Sequence, residues 1–161
     1  MGQQFTARGP QDLPDRAALL SMSGLEFMQG MLEGRIARPT ISEIMNYRLH
    51  HVAEGCVAFR GAPAFAHTNP MGAVHGGWYG TLLDSAMGCA VMTLVPRGSW
   101  YTTLEYKVNI VRALPLGTEI EARATVSHCG RSTGIAEAQL RGVEDDKLYA
   151  TASTTCLIMS G

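Results

Sequence analysis

The sequence predicts an α+β domain in which an antiparallel sheet wraps one long central helix, preceded by a helical extension at the N-terminus. In the stretch from residue 74 to 95, Asp84 is the only formally charged residue. Segments with strand character follow this stretch, and a helical pattern precedes it. A helix that is apolar on almost every side has to be buried, and a sheet curled around it is the natural cover.

The first residues predict a tail followed by short helices. Residues 1–16 mix Gln, Gly, Pro and charge without periodicity, so we expect a flexible tail there. In the helical segment 17–45, apolar residues recur at helical spacing after Ser23, which can cap the helix. The spacing of Thr40 and Glu43 predicts a capping box for one further helical turn.

Residues 46–161 are predicted to form one domain, since a chain of 161 residues suits a single core. A hairpin opens this domain, with strands on either side of the turn Glu54-Gly55. Four further strands are predicted after the long helix, over residues 101–111, 119–128, 135–141 and 148–159.

Composition limits the kinds of partner. The chain is 46% apolar and 17% charged, which is enough for a core and an additional apolar surface and favours a homodimer or homotetramer. The net charge of −1 gives no general attraction to nucleic acid or to an anionic membrane. We therefore expect a small-molecule partner.

Several features predict a cytoplasmic protein that needs no metal or other cofactor. The start of the chain lacks the apolar region of a signal peptide, and no apolar run reaches the roughly 20 residues that span a bilayer. No His, Glu and Asp spacing matches a metal site. The four cysteines form no C-x-x-C pair, so we interpret them as buried free thiols in a reducing compartment: Cys56, Cys89, Cys129 and Cys156.

The segment from His67 to Asp84 carries the most specific pattern. It resembles the signature H-x-N-x-x-G-x-x-H-G-G-x-x-x-x-L-x-D of the PaaI-type hotdog-fold thioesterases, and the similarity extends over residues 46–159. The matching positions are His67, Asn69, Gly72, His75, Gly76, Gly77, Leu82 and Asp84. The resemblance implies a hotdog fold, hydrolysis of acyl-CoA thioesters and active sites shared between two protomers.

The chemistry of these residues fits that resemblance. Gly76 or Gly77 leaves a free N–H at the positive end of the helix, where it can polarise a thioester carbonyl, although two glycines also simply make a tight turn. Asp84 on an apolar helix costs several kcal/mol unless it is paired. It is either a nucleophile or general base, or a structural carboxylate paired with an arginine such as Arg97 or Arg112.

Helix geometry predicts a composite site. Gly77 and Asp84 are seven residues apart, which is about 10 Å along the axis of one helix and too far for one water to bridge. A two-fold partner with an antiparallel helix would bring its own Asp84 to this helix start. We therefore predict that Asn69 and Gly76 or Gly77 of one protomer act with Asp84 of the other.

The remaining candidates each have two interpretations. Asn69 orients a water or a carboxylate, or is a turn residue before Pro70. His75 bonds the thioester region or fixes the loop. Thr103 matches a Ser or Thr that assists the nucleophilic water in animal relatives. Because Thr102 is beside it, the register of the strand decides which of the two threonines faces the site.

Two further residues are assigned to substrate binding. Trp78 lines an acyl pocket or belongs to the core. Arg131 contacts a CoA phosphate or is a solvated surface arginine. The alternative to a hydrolase is a non-catalytic acyl-CoA-binding module, a sensor or carrier, which would not need Asp84. The acyl group is not identified by the sequence.

Overall fold

A six-stranded antiparallel sheet curls around one long helix, which confirms the predicted α+β hotdog fold. The structure is a computed structural model that describes residues 3–161. The helices are α1 (Arg16–Ser21), α2 (Gly24–Leu32), α3 (Thr40–Ile44) and α4 (Gly76–Met92). The strands are β1 (Tyr47–Ala53), β2 (Cys56–Gly61), β3 (Ser99–Ile110), β4 (Ile120–Cys129), β5 (Thr133–Gly142) and β6 (Leu148–Ser160), in the spatial order β1-β2-β4-β5-β6-β3.

Helix α4 is the centre of the core. Its apolar side chains, including Leu82, Leu83 and Met87, are fully buried against the concave face of the sheet. This burial explains why the sequence places almost no charge in the helix. Small residues let the strands approach closely: a Cβ atom on Gly88 would lie 2.6 Å from the Tyr101 hydroxyl oxygen.

Strand β3 does not alternate regularly. Its pairing with β6 is interrupted by a bulge between Thr103 and Glu105, which shifts the side-chain parity by one. Thr103 therefore faces α4 before the bulge, and Tyr106 and Ile110 contact α4 after it. In an uninterrupted strand, Thr103 and Tyr106 would face opposite sides of the sheet.

The N-terminal helical segment packs against the end of α4. Ser23 and Glu26 form the capping box of α2, and a Cβ on Gly24 would lie 1.6 Å from the carbonyl oxygen of Met92, so only glycine fits at this contact. The second predicted capping box was wrong. Pro39 precedes the first residue of α3, and the Thr40 hydroxyl donates to the carbonyl of Ala7 instead.

Part of the expected tail makes contacts with this segment. Thr6 pairs with Arg38 in a parallel bridge, Ala7 is buried, and the Gln4 side chain donates to the carbonyl of Leu49. These contacts hold residues 4–7 beside Arg38, in contrast to the loose tail expected from composition. Met1 and Gly2, which belong to the same predicted tail, lie outside the described residues.

The cysteines and the helices answer two further expectations. All four cysteines are free thiols, but only Cys156 is fully buried, whereas Cys56, Cys89 and Cys129 are half-buried, so the prediction of four buried thiols was too broad.

Within residues 3–161, no helix combines the length and apolarity needed to cross a membrane.

Candidate active site

Asp84 lies on the side of α4 that faces β3 and is half-buried. The Thr103 hydroxyl donates a hydrogen bond to Asp84 Oδ1 across 2.9 Å, which also settles the choice between Thr102 and Thr103. Burial raises the pKa of the Asp84 carboxyl above its usual value, while the bond from Thr103 acts in the opposite direction. The carboxylate is therefore a stronger base than an exposed one.

No arginine within residues 3–161 pairs with Asp84. Arg97 bonds Glu26 and the carbonyl of Ser21, and Arg112 enters no ion pair in this part of the chain. The interpretation of Asp84 as a structural carboxylate paired with either arginine is therefore not borne out. A carboxylate kept without a cation on an apolar helix is typical of a functional group.

Two tyrosines of β3 cover α4 on either side of Asp84. The Tyr101 ring lies over Gly88, and the Tyr106 ring lies over Gly80, where an added Cβ would be 3.2 Å away. Since each glycine is one turn from Asp84, the carboxylate lies between the two rings. This pairing was missed in the sequence, although two glycines eight residues apart on the helix were the available signal.

Cys89 is a second nucleophilic group close to Asp84, one turn beyond Ser85 on the helix. Burial raises the pKa of the Cys89 thiol to about 12, with a further contribution from the nearby Asp84. The group therefore stays a protonated thiol at neutral pH, and a thiolate is the form that attacks. Of the two groups, Asp84 is therefore the candidate base.

The start of α4 offers one free N–H. His75 is the N-cap residue, and its Nδ1 accepts a hydrogen bond from the Gly77 N–H across 2.9 Å. The Gly76 N–H has no acceptor within the described chain. Of the two predicted donors, Gly76 is therefore the one available to a ligand. Since Nδ1 accepts, the neutral ring carries its proton on Nε2, and this ring is exposed.

Asn69 shapes the loop before α4. Its Oδ1 accepts from the N–H groups of Met71 (3.0 Å) and Ala73 (3.2 Å), as in an Asx turn. The Oδ1 atom of Asn69 therefore has the role of a turn residue. The amide nitrogen Nδ2 donates to no group within residues 3–161, and it remains free to bond a ligand or a partner.

His67 and Trp78 tie the loop to α3. His67 Nδ1 accepts from the Ala64 N–H, and Nε2 donates to the carbonyl of Ile44 across 2.8 Å. The Trp78 indole donates to the carbonyl of Met45, and the residue is only 1% exposed. Trp78 is therefore part of the core, which is the second of its two interpretations, and the assignment to an acyl pocket stays a prediction.

The structure brings most of the predicted residues to one end and one face of α4. Arg131 is different: it is exposed in the turn between β4 and β5 and makes no ion pair with the described residues. Gly76 and Asp84 remain about 12 Å apart along the helix axis within one protomer. A single chain therefore does not bring the free N–H and the carboxylate together.

The exposed side of this region is apolar. Strand β3 is an edge strand that pairs only with β6 within residues 3–161. Large apolar side chains on or just after it are solvent-exposed in the single chain, including Leu104 (58%), Tyr106 (47%) and Val111 (57%). An unpaired edge with exposed apolar groups is a surface suited to association.

The fold and the site define a hotdog-fold thioesterase. A sheet wraps the long helix, this helix begins after His75 with two glycines, and an aspartate lies on its buried length. The thioesterase superfamily model matches residues 71–149. The chain belongs to this superfamily. A comparison with curated proteins gives no significant match.

Solved structures share the fold. A conserved protein from Pseudomonas aeruginosa is 31% identical, with 74% of this chain and 93% of that chain covered and a TM-score of 0.68. A putative thioesterase related to phenylacetic acid degradation, from Ralstonia eutropha, is 26% identical, with 81% of this chain and 98% of that chain covered and a TM-score of 0.73. A hypothetical thioesterase from Streptococcus pneumoniae, solved with coenzyme A, is 24% identical, with 74% of this chain and 91% of that chain covered and a TM-score of 0.67.

Proposed function

We propose that the protein hydrolyses an acyl-CoA thioester to the free acid and CoA at a site shared between two protomers. The observation that carries the proposal is Asp84, a half-buried carboxylate with a raised pKa and a hydroxyl, not a cation, as its bonded partner. An acyl-CoA-binding sensor or carrier would have no use for a base in this position. The catalytic interpretation is therefore favoured over the binding module.

In the proposed reaction, Asp84 acts as a general base. It takes a proton from a water whose oxygen adds to the thioester carbon. The negative charge that develops on the carbonyl oxygen is stabilised by the free Gly76 N–H at the positive end of α4. The C–S bond then breaks, its electron pair leaves on the CoA sulfur, and Asp84 returns the proton to that thiolate.

The other candidate residues position these groups. Thr103 orients Asp84 through the bond to Oδ1 and leaves Oδ2 for the water. His75 fixes the first turn of α4 by accepting the Gly77 N–H, so it acts as a positioning residue. Asn69 uses its oxygen for the loop, and its free amide nitrogen orients the water or the partner's carboxylate.

The site is proposed to be composite because Gly76 and Asp84 of one chain are too far apart to act on one carbonyl. A two-fold partner that docks along the edge of β3 would lay its own α4 antiparallel to the first. Gly76 of one protomer would then meet Asp84 of the other, and the apolar surface at Leu104 and Val111 would be buried. A homodimer, or a homotetramer built from it, is the active form.

CoA is the proposed carrier group. The thioesterase from Streptococcus pneumoniae, which shares the fold, was solved with coenzyme A. In this chain, the exposed Arg131 is proposed to bond a CoA phosphate, a contact that suits the guanidinium group.

The test is release of CoA thiol from a panel of aliphatic and aromatic acyl-CoA esters. Wild-type protein is expected to release thiol, and Asp84→Asn is expected to lose about 100-fold or more in kcat while it stays folded. Glu137→Gln, which neutralises an exposed carboxylate on β5, is the matched control and should keep full activity. Binding of acyl-CoA without release would favour the sensor or carrier.

A single turnover in H₂¹⁸O tests for attack by Asp84 itself. If Asp84 activates water, the acid product of the first turnover carries ¹⁸O and Asp84 carries none. If Asp84 attacks the carbonyl and water then opens the resulting anhydride at the Asp84 carboxyl carbon, the acid product takes its oxygen from the protein and ¹⁸O enters the carboxyl of Asp84.

A further inference from the structure

A small cavity beside α4 is not used by the reaction described above. It has a volume of about 60 Å³ and lies between the N-terminal helical segment, the β1–β2 hairpin and α4. It is lined by Ser85 and Cys89 of α4, by Tyr47, Leu49 and Phe59 of the hairpin, and by Met31 of α2. The charge of Asp84 contributes to the raised pKa of both Tyr47 and Cys89, so the cavity lies close to the proposed reaction centre.

The interior of this cavity is suited to an apolar occupant. Its hydroxyl and guanidinium groups already have partners: the Tyr47 and Ser85 hydroxyls are 2.9 Å apart, the Ser42 hydroxyl donates to the carbonyl of Pro39, and Arg38 donates to the Thr6 hydroxyl. A buried water needs two to four polar partners, which this lining does not offer. A hydrocarbon chain needs none.

From this geometry we propose that the cavity holds the end of the acyl chain and that Met31 sets the longest chain accepted. The proposal rests on the proposed function, whose substrate it specifies. An engineered cavity of about 150 Å³ takes one benzene ring, so a cavity of less than half that volume excludes aromatic groups. The acyl groups that fit are short, unbranched aliphatic chains.

The walls of the cavity come from outside the matched family segment. That segment begins at residue 71, whereas Met31, Tyr47, Leu49 and Phe59 all precede it. Residues 4–7 support the far end, where the Arg38 side chain lines the cavity and donates to the Thr6 hydroxyl. The Met31 side of the cavity therefore belongs to the N-terminal helical segment, whereas the catalytic groups belong to the hotdog domain.

The test compares Met31→Ala with Met28→Ala, a matched control on the same helix. Met28 is equally buried but does not line the cavity. Values of kcat/KM are measured for straight-chain esters from acetyl-CoA to decanoyl-CoA and for benzoyl-CoA. We expect Met31→Ala to raise the ratio of hexanoyl-CoA to butyryl-CoA by at least about tenfold, since one methylene in a fitted pocket is worth that much or more. Met28→Ala should leave the ratio unchanged.

A second Met31 variant and a binding measurement distinguish failure of the cavity assignment from failure of the proposed function. Met31→Val, which removes fewer atoms than Met31→Ala and so destabilises the core less, should move the ratio in the same direction by less. Dissociation constants of the same esters, measured in Asp84→Asn protein with and without the Met31 changes, report the chain-length preference without turnover. A chain-length preference that follows Met31 without any hydrolysis would overturn the proposed function alone. Hydrolysis with the wild-type ratio in both Met31 variants would overturn the cavity assignment alone.

Discussion

The Thr103 hydroxyl meets Asp84 Oδ1 at 2.9 Å because β3 bulges between Thr103 and Glu105. Before the bulge, Thr103 points to the helix, and after it the parity shifts so that Tyr106 also contacts α4. Without the bulge, one of these two contacts would be lost. The backbone irregularity is thus what builds the wall around the carboxylate.

Replacing Thr103 by Val is expected to move the pH profile. The bond from Thr103 lowers the pKa of Asp84 against the effect of burial, so its loss raises this pKa further. Because the ionised carboxylate is the active base, the acid limb of kcat/KM against pH should shift upwards. Thr103→Ser, which keeps the hydroxyl, should retain the wild-type limb. An unchanged limb in Thr103→Val would show that the bond does not tune Asp84.

Asp84 is expected to lower stability at neutral pH. Its pKa in the folded state is raised above the unfolded value, so the stability linked to its protonated form is fully present below the unfolded pKa and is lost as the pH rises through the folded pKa. Asp84→Asn should therefore have a higher free energy of unfolding than wild type at pH 7, and the gain should vanish in acid. Urea denaturation at both pH values measures this, and a less stable variant at pH 7 would contradict it.

Gly76→Pro is expected to remove the oxyanion donor without breaking the helix. Gly76 is the first residue of α4, where Pro is well tolerated, and His75 before it has φ −64° and ψ 136°, which a following Pro permits. Loss of one such N–H costs about 10²–10³ in kcat.

Gly76→Ala is the control for this change, since it keeps the N–H and its Cβ would lie 3.8 Å from the nearest atom, on Ile110. Kinetics of CoA release and circular dichroism should show both variants folded and only the Pro variant impaired. Equal activity in the two would exclude Gly76 as the donor.

His75 is expected to act through the helix cap. His75→Ala removes the acceptor of the Gly77 N–H and should cost about 0.5–2 kcal/mol in the free energy of unfolding. His75→Asn offers an oxygen in its place, so it should keep most of the stability and most of kcat. If His75→Asn is stable yet as inactive as Asp84→Asn, the ring itself contacts the substrate.

The sequence was sufficient for the architecture because its strongest patterns are long. A helix with a single charged residue, followed by several strands, allows few packings, and the motif located Asp84 and the helix start. The sequence did not reveal which N–H at the start of α4 lacks an acceptor, because that depends on the rotamer of His75. It also did not reveal which face of β3 carries the Thr103 side chain, because that depends on a bulge. Nor did the sequence show how far Trp78 is buried, because an aromatic residue inside a motif looks the same whether it faces a substrate or the core.

Subunit mixing tests the composite site most directly. Asp84→Asn and Gly76→Pro subunits, each nearly inactive, are mixed and allowed to exchange partners. If Gly76 of one protomer serves Asp84 of the other, about a quarter of the wild-type activity should appear, because half of the dimers are mixed and each mixed dimer has one intact site of two. The control mixes wild type with the double variant, for which a composite site leaves about a quarter of the activity and a site within one protomer leaves about half. No activity above that of the two parents in the first mixture, with half in the control, would contradict the shared site.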